Sequence, residues 1–199
     1  MTTTLLDTPL SHPRADTRID NRLAYSGFTV AYLLGHGGAA LSMGPDAAIA
    51  APGWLPTSFL IGGMVVGTIA SIVTGMRAQK AMNARDARAA MLASMAWITG
   101  FAGLFLAITG LAASTGDPGL QTLLWPAGSA MVVGLIYLAE GSARHDSTHY
   151  ALGSVLILLG GGVLFLPTAA ALGILAVVGG AAYLAAALRV HRSLAAARA

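Results

Sequence analysis

The chain has no cysteine among its 199 residues, which excludes disulfides, thiolate nucleophiles and thiolate metal sites. Charge is also scarce, because Asp, Glu, Lys and Arg make up 10% of the sequence, whereas a soluble domain carries about 25%. Apolar residues make up 56%, and the mean hydropathy is +0.72. So few charges cannot cover a folded domain in water. The composition therefore predicts a protein whose solvent is a lipid bilayer.

Long apolar stretches account for this composition. There are six, each of about 20 residues, and a helix of that length crosses a hydrocarbon core of about 30 Å. They cover residues 24–43, 57–76, 91–113, 123–140, 149–166 and 168–188. In lipid, a helix satisfies its own backbone hydrogen bonds. We therefore predict an all-α, polytopic membrane protein with six transmembrane helices in one domain, residues 23–190.

Polar segments flank this domain and set its orientation. Residues 1–22 contain turn-forming residues and no apolar core, which predicts a flexible tail and not a cleavable signal peptide. Residues 191–199 form a second short tail. All eleven Lys and Arg residues lie in the tails, at the end of the sixth span, or in the second–third and fourth–fifth connections. The positive-inside rule then places both termini in the cytoplasm, in a cell (inner or plasma) membrane. Topology thus explains the basic charge, and nucleic acid is not an expected partner.

Three of the predicted helices share one pattern. Val-Val-Gly ends at Gly67, Gly134 and Gly179, and an arginine follows each glycine ten residues later. These are the second, fourth and sixth helices, which run in the same direction. The pattern is consistent with three parallel helical-hairpin repeats. The alternative is coincidence, because Val and Gly are common in membrane helices and arginine often follows a span that ends in the cytoplasm.

The last hairpin resembles a known family. Residues 150–192, YALGSVLILLGGGVLFLPTAAALGILAVVGGAAYLAAALRVHR, combine a glycine-bearing helix, a Leu-Pro turn, a glycine-paired helix and a closing basic residue. This segment resembles the hairpin of the HdeD-type acid-resistance membrane proteins, which are also built from six spans in hairpins. The resemblance implies a stress-associated inner-membrane protein without a defined catalytic site. It assigns no role to any single residue.

Small residues recur every four positions along the first two predicted helices. They are Gly27, Ala31, Gly35 and Ala39 on the first helix, and Gly63, Gly67, Ser71 and Gly75 on the second. Such faces let helix backbones approach closely, which matters in lipid because no hydrophobic effect drives helices together. We interpret them as the packing faces of the first hairpin. A flexible, gateable interface is the alternative.

His36 lies deep in the first predicted helix, about 18 Å from Ala24 at about 1.5 Å per residue. It lies one position from the small-residue face of this helix, so it should face the bundle and not lipid. Ionisable residues at such depth are functional candidates. We expect His36 chiefly to tie helices together through a hydrogen bond, with Thr68 and Thr109 as candidate partners. The alternative is a working group that contacts a solute or exchanges protons. The flanking glycines would let the helix bend there.

Other candidate residues lie in two cytoplasmic connections. His145 and His149 are four residues apart, which suits a metal pair on one helix face. No matching ligand pattern accompanies them, and we favour a solvated turn. A second group consists of Arg77, Lys80, Arg85 and Arg88. We expect these residues to anchor the chain to anionic lipid, and docking of a cytosolic partner is the alternative.

No residue pattern predicts a catalytic site or a cofactor. The leading hypothesis is a non-enzymatic inner-membrane protein, either a small transport or channel-like component or an HdeD-like stress protein. One alternative is an intramembrane enzyme acting on a lipid or isoprenoid, with His36 as acid, base or ligand. Another is a membrane subunit of a larger complex, for example of the ABC type, and a homo-oligomer also fits. Enzymes of lipids usually show several acids or histidines at one membrane level, whereas this sequence shows one deep histidine.

The charge distribution gives a topological prediction. Reporter fusions after Ser114 and after Ala199 are expected to report opposite sides of the membrane, because three helices precede the first position and six precede the second. Activity of paired cytoplasmic and extracytoplasmic reporters measures this. If both fusions report the same side, the six-span topology is wrong.

Overall fold

The computed structural model describes residues 20–44, 47–80 and 82–196. Within these ranges the chain is all-helical, with 86% of the residues in helices and no strand. We number six helices in chain order. They are α1 (residues 22–41), α2 (Trp54–Gln79), α3 (Ala84–Thr115), α4 (Leu120–Arg144), α5 (Ser147–Val163) and α6 (Thr168–Ala196).

Four of these helices, α2, α3, α4 and α6, are long and apolar enough to cross a membrane. Each continues beyond its predicted span, and α3 begins at Ala84 because alanines extend the helix past the apolar run. In contrast, α1 and α5 end slightly before the predicted limits. Residues 191–196 of the predicted C-terminal tail continue α6 as a helix. The predicted N-terminal tail up to residue 19 and the last three residues lie outside the described ranges.

Successive helices run antiparallel, so the starts of α1, α3 and α5 meet the ends of α2, α4 and α6. At this end Arg22 donates from Nη1 to Nδ1 of His191 at 3.2 Å, and Arg189 donates to the Ser147 hydroxyl at 3.4 Å. We call it the basic end, because it carries all the basic residues of the described ranges. They are Arg22, Arg77, Lys80, Arg85, Arg88, Arg144, Arg189 and Arg192.

Glycine sets the closest approach between α1 and α2. A Cβ atom added to Gly27 would lie 2.7 Å from the backbone nitrogen of Gly67, and one added to Gly63 would lie 2.6 Å from that of Ala31. Farther along, a Cβ at Gly35 would overlap the backbone of Leu60 at 2.8 Å. Any larger side chain at these positions would separate the two backbones. This interface therefore depends on the absence of side chains.

A second glycine contact, between α4 and α5, was not apparent from the sequence. A Cβ at Gly134 would lie 2.6 Å from the nitrogen of Ile157, and one at Gly153 would lie 2.7 Å from the carbonyl oxygen of Gly134. Near the basic end, a Cβ at Gly141 would lie 2.5 Å from the nitrogen of Tyr150. The α4 and α5 backbones are therefore in contact along most of their length.

The six helices contribute unequally to the core. In the apolar stretch of 18 residues that characterises each long helix, 50% of the residues are buried in α6, 17% in α2 and 6% in α3. The core lies where α1, α4, α5 and α6 meet, and its largest fully buried side chains are Tyr25, Tyr183, Leu156, Leu175 and Val163. In contrast, α2 packs mainly on α1 and α3 mainly on α4. Their outward faces expose large apolar side chains such as Ile61, Ile69, Ile98 and Leu106.

The glycines of the Val-Val-Gly pattern all lie at close contacts, but with different neighbours. A Cβ at Gly67 would meet the ring of Phe28 in α1, and one at Gly134 would meet the backbone of α5. Gly179 lies against the ring of Tyr32 in α1. The closest contacts of α4 thus cross a boundary between the predicted hairpins. Three parallel repeats stay a prediction.

Replacing Gly67 with Leu is expected to destabilise the protein by about 1–3 kcal/mol or more, because the new side chain would push Phe28 and α1 away from α2. Two control variants are available in more open places. A Cβ at Gly75 has no neighbour within 4 Å, and one at Gly173 would have an ordinary contact of 3.8 Å with Ala40. Thermal melts in detergent should rank Gly67→Leu well below Gly75→Leu and Gly173→Leu. The opposite ranking would mean that this glycine is not the limiting contact.

Candidate functional site

Four tyrosine side chains are buried in the core, in a chain whose other buried side chains are mostly aliphatic or small. They lie in α1, α4 and α6, and two of them, Tyr25 and Tyr137, contact a buried histidine of α5. These residues are Tyr25, Tyr32, Tyr137, Tyr183 and His149, with exposures of 1%, 6%, 4%, 2% and 6%. We call them the tyrosine cluster. A buried hydroxyl needs a hydrogen-bond partner, so its position in the core is strongly constrained.

The best-defined contact of the cluster joins α1 to α5. The Tyr25 hydroxyl and Nδ1 of His149 form a hydrogen bond of 2.7 Å. The ring of Tyr137 packs on the same imidazole, with the centroids 4.4 Å apart. The ring of Trp97 in α3 also packs against Tyr137, edge-on, with the centroids 5.8 Å apart. One imidazole thus connects helices that are far apart in the sequence.

Acidic groups lie beside the same histidine, toward the basic end. Nε2 of His149 is 3.7 Å from a carboxylate oxygen of Glu140, and Nδ1 is 3.7 Å from a carboxylate oxygen of Asp146. Glu140 also lies 3.7 Å from Arg144, one turn later on α4, and accepts a hydrogen bond of 3.4 Å from the indole of Trp97. The Glu140 side chain is 15% exposed, and that of His149 is 8% exposed. Both ring nitrogens of the histidine therefore face polar groups.

A tight turn explains why His149 is buried. His145 closes α4 with a left-handed backbone, φ 55°, and the next backbone N–H, of Asp146, donates to the carbonyl of Gly141 at 2.8 Å. The Asp146 carboxylate then accepts hydrogen bonds from the backbone N–H groups of Thr148 and His149, at 2.8 and 3.2 Å, and caps α5. The expected solvated turn therefore holds for His145, which is exposed, and not for His149.

The cluster continues from His149 toward the middle of the bundle. The ring of Tyr183 is 6.2 Å from that of Tyr25 and 5.3 Å from that of Tyr32. The last contact is with His36, whose ring meets Tyr32 at 5.0 Å and nearly perpendicular. A continuous series of aromatic and polar rings thus leads from the basic end to His36.

Two helices change their hydrogen-bonding pattern beside His36. Residues Ala31–His36 of α1 and Leu175–Gly179 of α6 are π-helical, and the two segments pack against each other. Tyr32 lies directly on the backbone of Gly179, where a Cβ atom would overlap the ring. Single π-helical turns inside α-helices are frequent at functional sites, because the extra residue shifts the side chains that follow. No sequence signal predicted either segment.

His36 itself is buried, with 6% exposure, as its predicted direction into the bundle requires. Its ring has no hydrogen bond to any described residue, and Thr109 instead donates to Phe105 of its own helix at 2.6 Å. No fully buried side-chain nitrogen or oxygen of the described ranges lacks a partner. The ring nitrogens of His36 therefore keep some accessible surface. The expected hydrogen-bonded tie between helices is not observed here.

The remaining predicted residues lie outside this cluster. Ser71 donates to the carbonyl of Gly67 in its own helix at 2.9 Å, and Gly75 lies in an open position. His145 follows the end of α4 and is exposed, whereas His149 is buried near the start of α5. Within the described ranges, no group of three or more His, Asp or Glu residues could hold a metal ion. The proposed anchor residues, all exposed near the facing ends of α2 and α3, are Arg77, Lys80, Arg85 and Arg88.

Sequence reasoning missed the four buried tyrosines. A signal was present in α1, where Tyr25, Phe28, Tyr32 and His36 are spaced by three or four residues and so share one helix face. Such spacing identifies a face but not its partners. The pairing with His149 and Tyr183 depends on how α5 and α6 pack, which local patterns do not encode.

Comparisons of the chain with protein-family models, with curated proteins and with solved structures find no match. The chemistry of the cluster is therefore inferred from its own residues.

Replacing Tyr25 with Phe is expected to lower the free energy of unfolding by about 1–3 kcal/mol, because Nδ1 of the buried His149 loses its hydrogen-bond partner. Tyr150→Phe is the matched control, since Tyr150 is 51% exposed. Thermal or denaturant unfolding in detergent measures both variants. Equal stability of the two would show that the 2.7 Å contact contributes nothing to folding.

Proposed function

We propose that the chain is a six-span integral membrane protein that acts without catalysis, as a small transport component. The proposal begins with the membrane topology. Four helices are long and apolar enough to cross a bilayer. The other two have 20 and 17 helical residues, within the range of about 17–25 that spans hydrocarbon.

Packing supports a crossing by these two shorter helices as well. α1 packs antiparallel to both α2 and α6, and α5 packs antiparallel to α4. A helix that lies along a spanning partner shares its depth in the membrane. Six crossings then place the basic end on one side, which the positive-inside rule makes cytoplasmic in an inner or plasma membrane. The exposed basic residues near the α2–α3 connection would there face anionic headgroups.

The observation that carries the functional proposal is the environment of His36. An imidazole with accessible nitrogens is costly at membrane depth unless water or a solute reaches it. It lies where two π-helical segments meet, with Gly35 and Gly37 on either side. Altered backbone inside a membrane is tolerated where protein buries it or where it lines a cavity. These features fit a site that a transported solute or ion contacts.

An intramembrane enzyme is the second candidate, and one contact favours it. Tyr25, His149 and Glu140 form a hydroxyl, imidazole and carboxylate series of the kind that activates nucleophiles. However, Tyr25 is 1% exposed, so no substrate reaches its hydroxyl in this conformation. Transport explains the accessible His36 without requiring that rearrangement. A stress association rests on the resemblance of residues 150–192, and a partner subunit or a homo-oligomer is compatible with either function.

The proposal predicts that a hydrophilic reagent reaches position 36. Because the chain has no cysteine, His36→Cys provides a single thiol for a membrane-impermeant methanethiosulfonate reagent in vesicles. We expect labelling of this variant, because the transport site must open to water. Leu34→Cys is the matched control on the same helix, since Leu34 is 47% exposed and faces lipid in this topology. It should resist labelling, whereas Thr115→Cys, at the exposed outer end of α3, should label fully.

Two results would contradict the proposal. If His36→Cys is as resistant as Leu34→Cys from both sides of the membrane, water does not reach this position and the transport site is wrong. If both are labelled equally, α1 does not lie in the bilayer.

A further inference from the structure

We propose that the tyrosine cluster is a proton pathway that connects His36 to the basic end of the bundle. This proposal rests on the transport function proposed above, and it names the proton as the transported ion. It rests on the arrangement of six side chains that can each donate and accept a hydrogen bond or exchange a proton. In order from the basic end they are Glu140, His149, Tyr25, Tyr183, Tyr32 and His36.

The first part of the pathway lies near the basic end. Glu140 is partly exposed there, and its carboxylate is 3.7 Å from Nε2 of His149. The other nitrogen of the same ring bonds the Tyr25 hydroxyl at 2.7 Å. An imidazole can accept a proton on one nitrogen and release one from the other, so it passes protons without leaving its place. Glu140, His149 and Tyr25 thus link α4, α5 and α1.

The middle part consists of tyrosine hydroxyls. The ring of Tyr183 in α6 lies 6.2 Å from that of Tyr25 and 5.3 Å from that of Tyr32, centroid to centroid. A phenol both donates and accepts, and it remains neutral while a proton moves along a chain of such groups. Tyr183 is therefore the junction through which the pathway passes from Tyr25 toward Tyr32.

The last part ends at His36. Its ring meets Tyr32 at 5.0 Å, and its nitrogens keep accessible surface. Along α1, the eleven positions from Tyr25 to His36 correspond to about 16 Å at about 1.5 Å per residue. The pathway therefore covers about half of a hydrocarbon core roughly 30 Å thick. A solute-accessible opening at His36 would complete it.

The charged groups around the pathway lie at one end of it. Glu140 and Arg144 belong to α4, and Asp146 belongs to the turn before α5. In the described ranges, the charged side chains in contact with His149 are those of Glu140 and Asp146. Beyond Tyr25, the path runs through neutral side chains. A proton can pass between neighbouring donor and acceptor groups without an open passage, whereas a metal or an organic ion cannot.

The experiment uses the purified full-length protein in vesicles that contain the pH indicator pyranine. A potassium diffusion potential, set with valinomycin, drives protons inward, and the initial rate of acidification is recorded. We expect the wild-type protein to acidify the vesicles faster than protein-free vesicles. Tyr183→Phe keeps the ring and removes the junction hydroxyl, and it should lower the protein-dependent rate about tenfold or more, given the factors of about 10²–10⁴ for positioned proton-transfer groups. Tyr150→Phe is the control and should keep the wild-type rate.

Folding is checked by gel filtration and by a cooperative thermal transition. If Tyr183→Phe does not fold, Tyr32→Phe is used in its place, since Tyr32 is the next member of the pathway and the variant keeps its ring. Wild-type vesicles that acidify no faster than protein-free ones overturn the pathway, and so does a folded Tyr183→Phe or Tyr32→Phe protein with the wild-type rate. This failure is separate from that of the transport site. If His36→Cys is labelled but the vesicles show no protein-dependent proton flux, the solute site remains supported and the proton pathway is wrong.

Discussion

Direct contact between helix backbones at glycine is the constraint on which this structure depends. Lipid offers no hydrophobic gain when helices associate, so close packing must supply the attraction. At Gly27 and Gly63 the α1 and α2 backbones touch, and at Gly134 and Gly153 those of α4 and α5 do. These two tightly packed pairs leave α6 to close the core against α1 and α5. Tyr25, Tyr32, Tyr137 and His149 belong to these pairs, and Tyr183 of α6 packs against Tyr25 and Tyr32.

The polar contacts follow from that packing and could not arise without it. His149 reaches Tyr25 only because Gly141 lets the start of α5 lie against the end of α4. Tyr32 reaches Tyr183 only because Gly179 lets its ring lie on the α6 backbone. A buried polar group without a hydrogen-bond partner destabilises the fold, so these hydrogen bonds stabilise one arrangement of the helices over others. Glycine therefore sets how close the helices come, and the polar groups select their register.

The helical class, the order of the helices and the position of the basic residues at one end could be predicted from the sequence, because length, hydropathy and charge are local properties. The inward direction of His36 followed from its position next to the small-residue face of α1. The burial of His149 could not be predicted, since it depends on a left-handed backbone at His145, a residue type that adopts this conformation only occasionally. The two π-helical segments and the α4–α5 contact depend on tertiary packing. Nothing in the sequence around Gly134 and Gly153 indicates that these glycines lie at a contact between the two helices.

The arrangement of ionisable groups follows the cost of placing charge in lipid. The guanidinium groups of the described ranges are confined to the basic end, where Glu140 and Arg144 can reach headgroups or water, and the carboxylate at the opposite end, Asp117, lies in an exposed turn. Deeper in the bundle the chain uses phenols, which remain neutral while they donate and accept hydrogen bonds, so they avoid the penalty of a buried charge. His36 lies at the end of this series farthest from the basic end, and an imidazole is likewise neutral when unprotonated. Neutral phenols and imidazoles therefore supply polar groups to the core without the penalty that a buried charge would carry.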